Sequence, residues 1–245
     1  MLDFSICIFA SDQFGLYPTT IHNMDIINER RCTKDSCIAL YRAISKGNLA
    51  RVKELLSSGY DIECKSVDHE PALIQAIQKE RLDIIHTLLE HNANIDCSFY
   101  FDVWSTSLIY AMEARVKPIF AQTLIAAGAD VKVCDTIGDA LDSYIWSHLA
   151  PWNRWSKEET LLTIRMLLCA GLRVNGNHLK NLSCGGEVQE LLVHHQQNPM
   201  TLMQCSRVAV RDRLRSHTGG RTILPKIQML EIPEILKMYL SMKLV

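Results

Sequence analysis

The sequence predicts an all-α protein: a solenoid of stacked helix pairs, followed by a C-terminal group of three helices. Three observations carry this prediction. One short phrase returns four times at near-constant spacing. A helical run with an apolar stripe stands ahead of the first three returns, and after Asn198 two amphipathic stretches flank a polar turn.

The phrase is two apolar residues, two spacers, a Gly or Asn, then a short aliphatic run. It reads LLSSGYDI from Leu55, LLEHNANI from Leu88, LIAAGADV from Leu124 and LLCAGLRV from Leu167, with starts 33, 36 and 43 residues apart. The Leu pair closes the inward stripe of a helix. Gly59, Gly128 and Gly171 stand just past the helix end, where a left-handed backbone is needed, and Asn92 is the next best residue for that place. The partner helix of each unit precedes the phrase, over 38–44, 72–77 and 107–111. The fourth unit is longer, with extra residues near 147–157, and a truncated fifth unit over 176–195 caps the stack. Residues 1–36 match no part of the repeat and are read as an N-terminal arm or cap.

This spacing and phrase resemble ankyrin repeats, whose period is near 33 residues. No TPLH signature is intact, so the resemblance rests on the register that the four phrases share. It places the ankyrin repeats over 37–196.

The tail begins with a helix expected over 201–214, entered at Pro199 and capped by Asn198 or Thr201. Leu202, Ser206, Val210 and Leu214 recur every four residues and share a face. After the turn Thr218-Gly219-Gly220-Arg221, the chain reads Leu230-Glu231-Ile232-Pro233 and then PEILKMYL, with Ile235, Leu236, Tyr239 and Leu240 as an apolar stripe. This order resembles the SOCS box, here 197–245, and with the body it resembles the ankyrin-repeat and SOCS-box family. The resemblance implies a substrate receptor of a cullin-RING ubiquitin ligase. Leu202, Ser206, Val210 and Leu214 would bind elongin C, with elongin B alongside. Leu230, Ile232 and Pro233 would contact cullin five, which brings its RING partner. Two departures from the family pattern stand out: Ser206 occupies a Cys position, and Glu231 replaces the first Pro of a Leu-Pro-Leu-Pro segment. They support the alternative of an ankyrin scaffold or inhibitor whose tail no longer recruits a ligase.

The remaining features fill in this picture. Hydrophobic residues make up 48%, enough for a folded core, and the formal net charge of -1 argues against non-specific nucleic-acid binding. Charge is uneven: +5 from Thr201 onward and -6 before it, which suits either a solvated helix face or an anionic partner. Nine cysteines without a CxxC, three of them (Cys64, Cys97, Cys134) following the repeat, point to a reducing cytosolic or nuclear setting and to no metal site. The apolar run 4–10 is short and follows Asp3, so it is not read as a secretory signal, and no stretch is long enough to span a membrane. No arrangement of nucleophile, base and orienting group is visible, so no catalytic residue and no cofactor is expected. Phe99, Tyr100, Phe101 and Trp104 fall where an inter-repeat finger loop protrudes, and either form the candidate surface for an unknown target protein or pack against the next finger. Trp146, Trp152 and Trp155 lie in or beside the insertion and are expected to pack down. His194-His195 ends a helix, where a cation complements the dipole.

Overall fold

The computed structural model describes residues 34–64, 70–100, 104–112, 116–134, 138–148, 156–180, 186–198 and 200–243. The chain divides into two units, 1–31 and 32–245, and every described residue lies in the second.

Helix pairs follow one another as expected: α1 (Lys34–Ser45) with α2 (Leu49–Ser57), and α3 (Ala72–Gln78) with α4 (Leu82–Glu90). A hairpin of β1 (Ser98–Tyr100) and β2 (Trp104–Thr106) leads into α5 (Ser107–Ala111) and α6 (Pro118–Ala127). Then come α7 (Ala140–His148) with α8 (Lys157–Cys169), and the short pair α9 (Gly176–Lys180) with α10 (Glu187–Gln197). The tail supplies α11 (Leu202–Thr218), α12 (Leu224–Gln228) and α13 (Glu234–Leu240). None of these helices is long and apolar enough to cross a membrane.

The repeated phrase has one structural meaning. Gly59, Asn92, Gly128 and Gly171 all have positive φ, at 83°, 66°, 107° and 106°. The residue after each donates its N–H back to the first Leu of the phrase: Tyr60 to Leu55 (3.2 Å), Ala93 to Leu88 (3.0 Å), Ala129 to Leu124 (3.0 Å) and Leu172 to Leu167 (3.2 Å). This is a Schellman closure, which satisfies a carbonyl that the helix end would leave open. The turns that follow are built alike: Asp61, Asn94 and Asp130 each accept the N–H two residues on, at 3.0 Å. They are also tied to each other. Glu63 accepts the Asn94 N–H at 2.6 Å, and Asp96 accepts the Asp130 N–H at 2.8 Å.

One continuous core runs through the pairs, from Leu40 and Ile44 to Val188 and Leu192. Each fully buried Leu or Ile contributes about 1.5–3 kcal/mol. Two expectations fail here. Cys64 is disulfide-bonded, a departure from reduced thiols at the repeating positions, while Cys97 is buried and Cys134 exposed. His195 has its pKa lowered by burial and by His194, so it does not supply a cation to the end of α10 near neutral pH.

Candidate SOCS-box docking surface

Helix α11 positions the candidate residues. Thr201 caps it, accepting the Gln204 N–H at 3.3 Å, while the Gln204 side chain takes the Thr201 N–H at 2.8 Å. The helix outlasts the expected 201–214 by a turn and ends at Gly219, whose φ is 58°. The polar turn is thus shortened to residues 219–222, because Arg215 to Thr218 are taken up by the helix.

The outward face of α11 is apolar and unpartnered. Leu202 is 83% exposed and Met203 55%, and Ser206 and Val210 are also exposed. Leu214 differs: it is half-buried against Ile223, Ile227 and Leu240, a small core inside the tail. Leu230 and Ile232 pack on that same core and are half-buried, while Pro233 is exposed at the start of α13. The predicted stripe on α13 divides. Leu240 turns inward and Tyr239 stacks beneath Arg207, whereas Ile235 and Leu236 face outward, beyond the exposed Met229.

The inward face of α11 was not legible as such. Arg207, Arg211 and Arg215, four residues apart, turn inward. Arg207 lies 3.5 Å from the Tyr239 ring centroid and donates to the Met242 sulfur at 3.7 Å. Arg211 is buried, and among the described residues no carboxylate pairs with it. It donates to the carbonyls of Leu240 (2.6 Å), Ala126 (3.4 Å) and Ile125, the last two at the negative C-terminal end of α6. Burial and then Arg207 lower its pKa to about 10, which leaves it charged at neutral pH. Arg215 pairs with Asp96 (2.9 Å) and Asp130 (2.8 Å), and Asp212 with Lys132 (2.7 Å). The uneven charge is therefore partly spent inside the molecule, a third outcome beside a solvated face and an anionic partner. The spacing of the three arginines, set against an acidic body, was the signal that could have found this.

The repeat glycines also receive the tail. A Cβ at Gly128 would stand 2.9 Å from Ile223, and one at Gly171 would stand 2.8 Å from Val208. Backbone bonds complete the seat: Ile223 N–H to Ala127 O (2.9 Å) and Ile95 N–H to Gly220 O (2.7 Å).

The target-binding candidates fare differently. The finger forms the β1–β2 hairpin, with Tyr100 opposite Trp104 and Phe99 opposite Ser105. Phe99 is not an exposed anchor. It is 6% exposed, belongs to the core and meets Tyr110 edge-on at 5.5 Å between centroids. The alternation of a strand explains this, since every second residue of a hairpin on a core faces inward. Phe101, Trp152 and Trp155 lie outside the described residues, as do the side chains of Tyr100, Trp104 and Trp146.

Among the described residues one cluster has metal-ligand character: Asp139, Asp142 and the fully buried His178. Hydrogen bonds account for His178 and Asp139, while Asp142 Oδ1 is buried with no hydrogen-bond partner among the described residues. The Asn175 N–H donates to Nδ1 at 3.0 Å, so the ring proton is on Nε2, 3.1 Å from Asp139 Oδ2.

Two family models match the chain. Residues 17–99 and 40–135 match ankyrin repeats (3 copies), and residues 198–241 match the SOCS box. The first match begins inside the segment expected as an arm, and the helix pairs continue past its end. No curated protein matches the chain. The fold and the two matches define a class, an adaptor-type protein built of ankyrin repeats and a SOCS box. The chain matches the ankyrin-repeat and SOCS-box protein family. Both are adaptor-type domains and not catalytic ones, and their pairing supports a substrate-receptor role in general.

Proposed function

We propose that the chain is the substrate-recognition subunit of an elongin-cullin-RING ubiquitin ligase. The α11 face carrying Leu202, Ser206 and Val210 binds elongin C, with elongin B alongside. The segment of Leu230, Ile232 and Pro233 meets cullin five with its RING partner. The repeats hold the target. Catalysis on the target is then effective concentration: its lysines are held near a charged ubiquitin carrier.

One observation carries the reading. Leu202 is 83% exposed at the start of a helix whose opposite face is anchored by buried arginines. An exposed Leu at the head of an apolar stripe, outside the hydrophobic cores of the described residues, suits insertion into a partner's pocket. Ser206 brings a hydroxyl into that stripe. Burying it unpaired costs roughly 1–3 kcal/mol, which a bond back to the Leu202 carbonyl would reduce.

Co-purification tests this. Leu202→Ala should lose elongin C and Ser206→Cys should gain affinity for it. Pro233→Ala should keep elongin C and weaken the cullin, since Pro233 is exposed whereas Leu230 and Ile232 also serve the tail's own core. Failure of the full-length chain to hold elongin C at micromolar concentration would favour the scaffold reading, to which Ser206 and the exposed Glu231 belong.

A further inference from the structure

We propose that Arg215 is a positioning residue that fixes the direction in which the Leu202–Val210 face leaves the ankyrin stack; the use of that face as a docking surface rests on the receptor reading above.

The three inward arginines of α11 do different work. Arg207 binds Tyr239 and Met242 within the tail, and Arg211 spans the two parts, donating to the Leu240 carbonyl of the tail and to the Ala126 and Ile125 carbonyls of α6. The ion pairs of Arg215 go to the repeats alone. One nitrogen, Nη2, reaches Asp96 Oδ2 at 2.9 Å and Asp130 Oδ2 at 2.8 Å. Both carboxylates are about four-fifths buried, with 18% and 21% exposure, so water screens the contact less than at an open surface. The acceptors are also held in advance. Asp96 Oδ1 accepts the Asp130 N–H, and Asp130 Oδ1 accepts the Lys132 N–H. Arg215 therefore closes a network already formed between two successive repeat turns.

Its place along the helix gives it leverage. Arg215 is 13 residues beyond Leu202. At a rise of 1.5 Å per residue that is about 20 Å, so freedom at the Arg215 end is carried to the docking end. Two backbone bonds flank the same end, Ile95 N–H to Gly220 O and Ile223 N–H to Ala127 O, and they report on whether it is seated. The tail's own core of Ile223, Ile227 and Leu240 does not include Arg215, so the seat and the fold of the tail are separable.

Amide hydrogen exchange on the full chain reads this directly. In Arg215→Ala the Ile95 and Ile223 amides should exchange about tenfold faster, while Ala93 and Leu172, whose bonds lie within repeat turns, keep their rates. Arg215→Lys should recover most of the protection, because an ammonium retains the charge. Titration with elongin C and elongin B should give the same affinity for Arg215→Ala as for the wild type. Unchanged exchange at Ile95 and Ile223 would overturn the proposal. So would equal acceleration at Ala93 and Leu172, which would make Arg215 a support of the whole fold. Absence of elongin binding by the wild type would instead sink the receptor reading, and the exchange rates would still decide what holds the tail in place.

Discussion

Gly128 carries two demands at one position. Its φ of 107° belongs to the left-handed region, and Ile223 of the tail presses where a Cβ would stand, at 2.9 Å. Gly59 has the same kind of backbone, with φ of 83°, and open space around it. Gly59→Ala should therefore cost about 1 kcal/mol, the conformational term alone. Gly128→Ala should cost about 2–4 kcal/mol, since an overpacked contact adds to it. Urea denaturation of the two variants measures the difference. The backbone demand was legible in the sequence at all four phrase ends. The socket was not, because a glycine required by its own turn looks the same whether or not another element leans on it.

His178 makes a second prediction at this scale. Burial pulls its pKa down, but the hydrogen bond and charge of Asp139, with Asp142 beyond, outweigh burial and leave it raised. Burial likewise pushes Asp139 up, and the bond from His178 with the Asp142 and Leu141 N–H groups brings it net down. A raised histidine stabilises the fold fully below its ordinary value of about 6.5, and the contribution is lost as pH rises through the folded value. A lowered aspartate stabilises above its ordinary value of about 3.9, and the contribution is lost as pH falls through the folded one. The melting temperature should therefore decline on going from about pH 6 to 8. His178→Gln should flatten that decline, and a wild-type curve rising over this range would contradict the assignment.

Among elements, the β1–β2 hairpin shows most clearly what sequence reading resolves. Its position between repeats was legible, since it lies between the second phrase and the helix at 107–111. Which way Phe99 points was not, because four apolar residues in a short run show no alternation from which to read a face. Phe99→Ser should now lower stability by about 3–5 kcal/mol, the range for losing a buried Phe, and thermal unfolding measures it. An unchanged melting temperature would return Phe99 to the surface. Helix α11 teaches the complementary lesson. Its apolar outward stripe could be read from the spacing of Leu202, Ser206 and Val210, and its capping from Thr201. Its inward stripe of arginines read as solvated because burial of a cation depends on acceptors far along the chain: Asp96, Asp130 and the end of α6.

At the scale of the whole described unit, the helix order, the repeat register and the tail followed from local chemistry: periodicity, helix ends and turns. The seat of the tail upon the repeats did not, because it is built from contacts between residues 85 and 119 positions apart, such as Arg211 with Ala126 and Arg215 with Asp96. The result is an adaptor-type protein in which one face of α11 is consumed by the fold and the other stays exposed. The central claim is that this free face engages elongin C. Isothermal titration of the full-length chain with the elongin C and elongin B pair tests it most directly. The account predicts one-to-one binding at micromolar affinity or tighter, with Leu202→Ala weakening it by about 2–5 kcal/mol, enough to remove the signal. Absence of heat and of complex with the wild-type chain, or equal binding by Leu202→Ala, would contradict it.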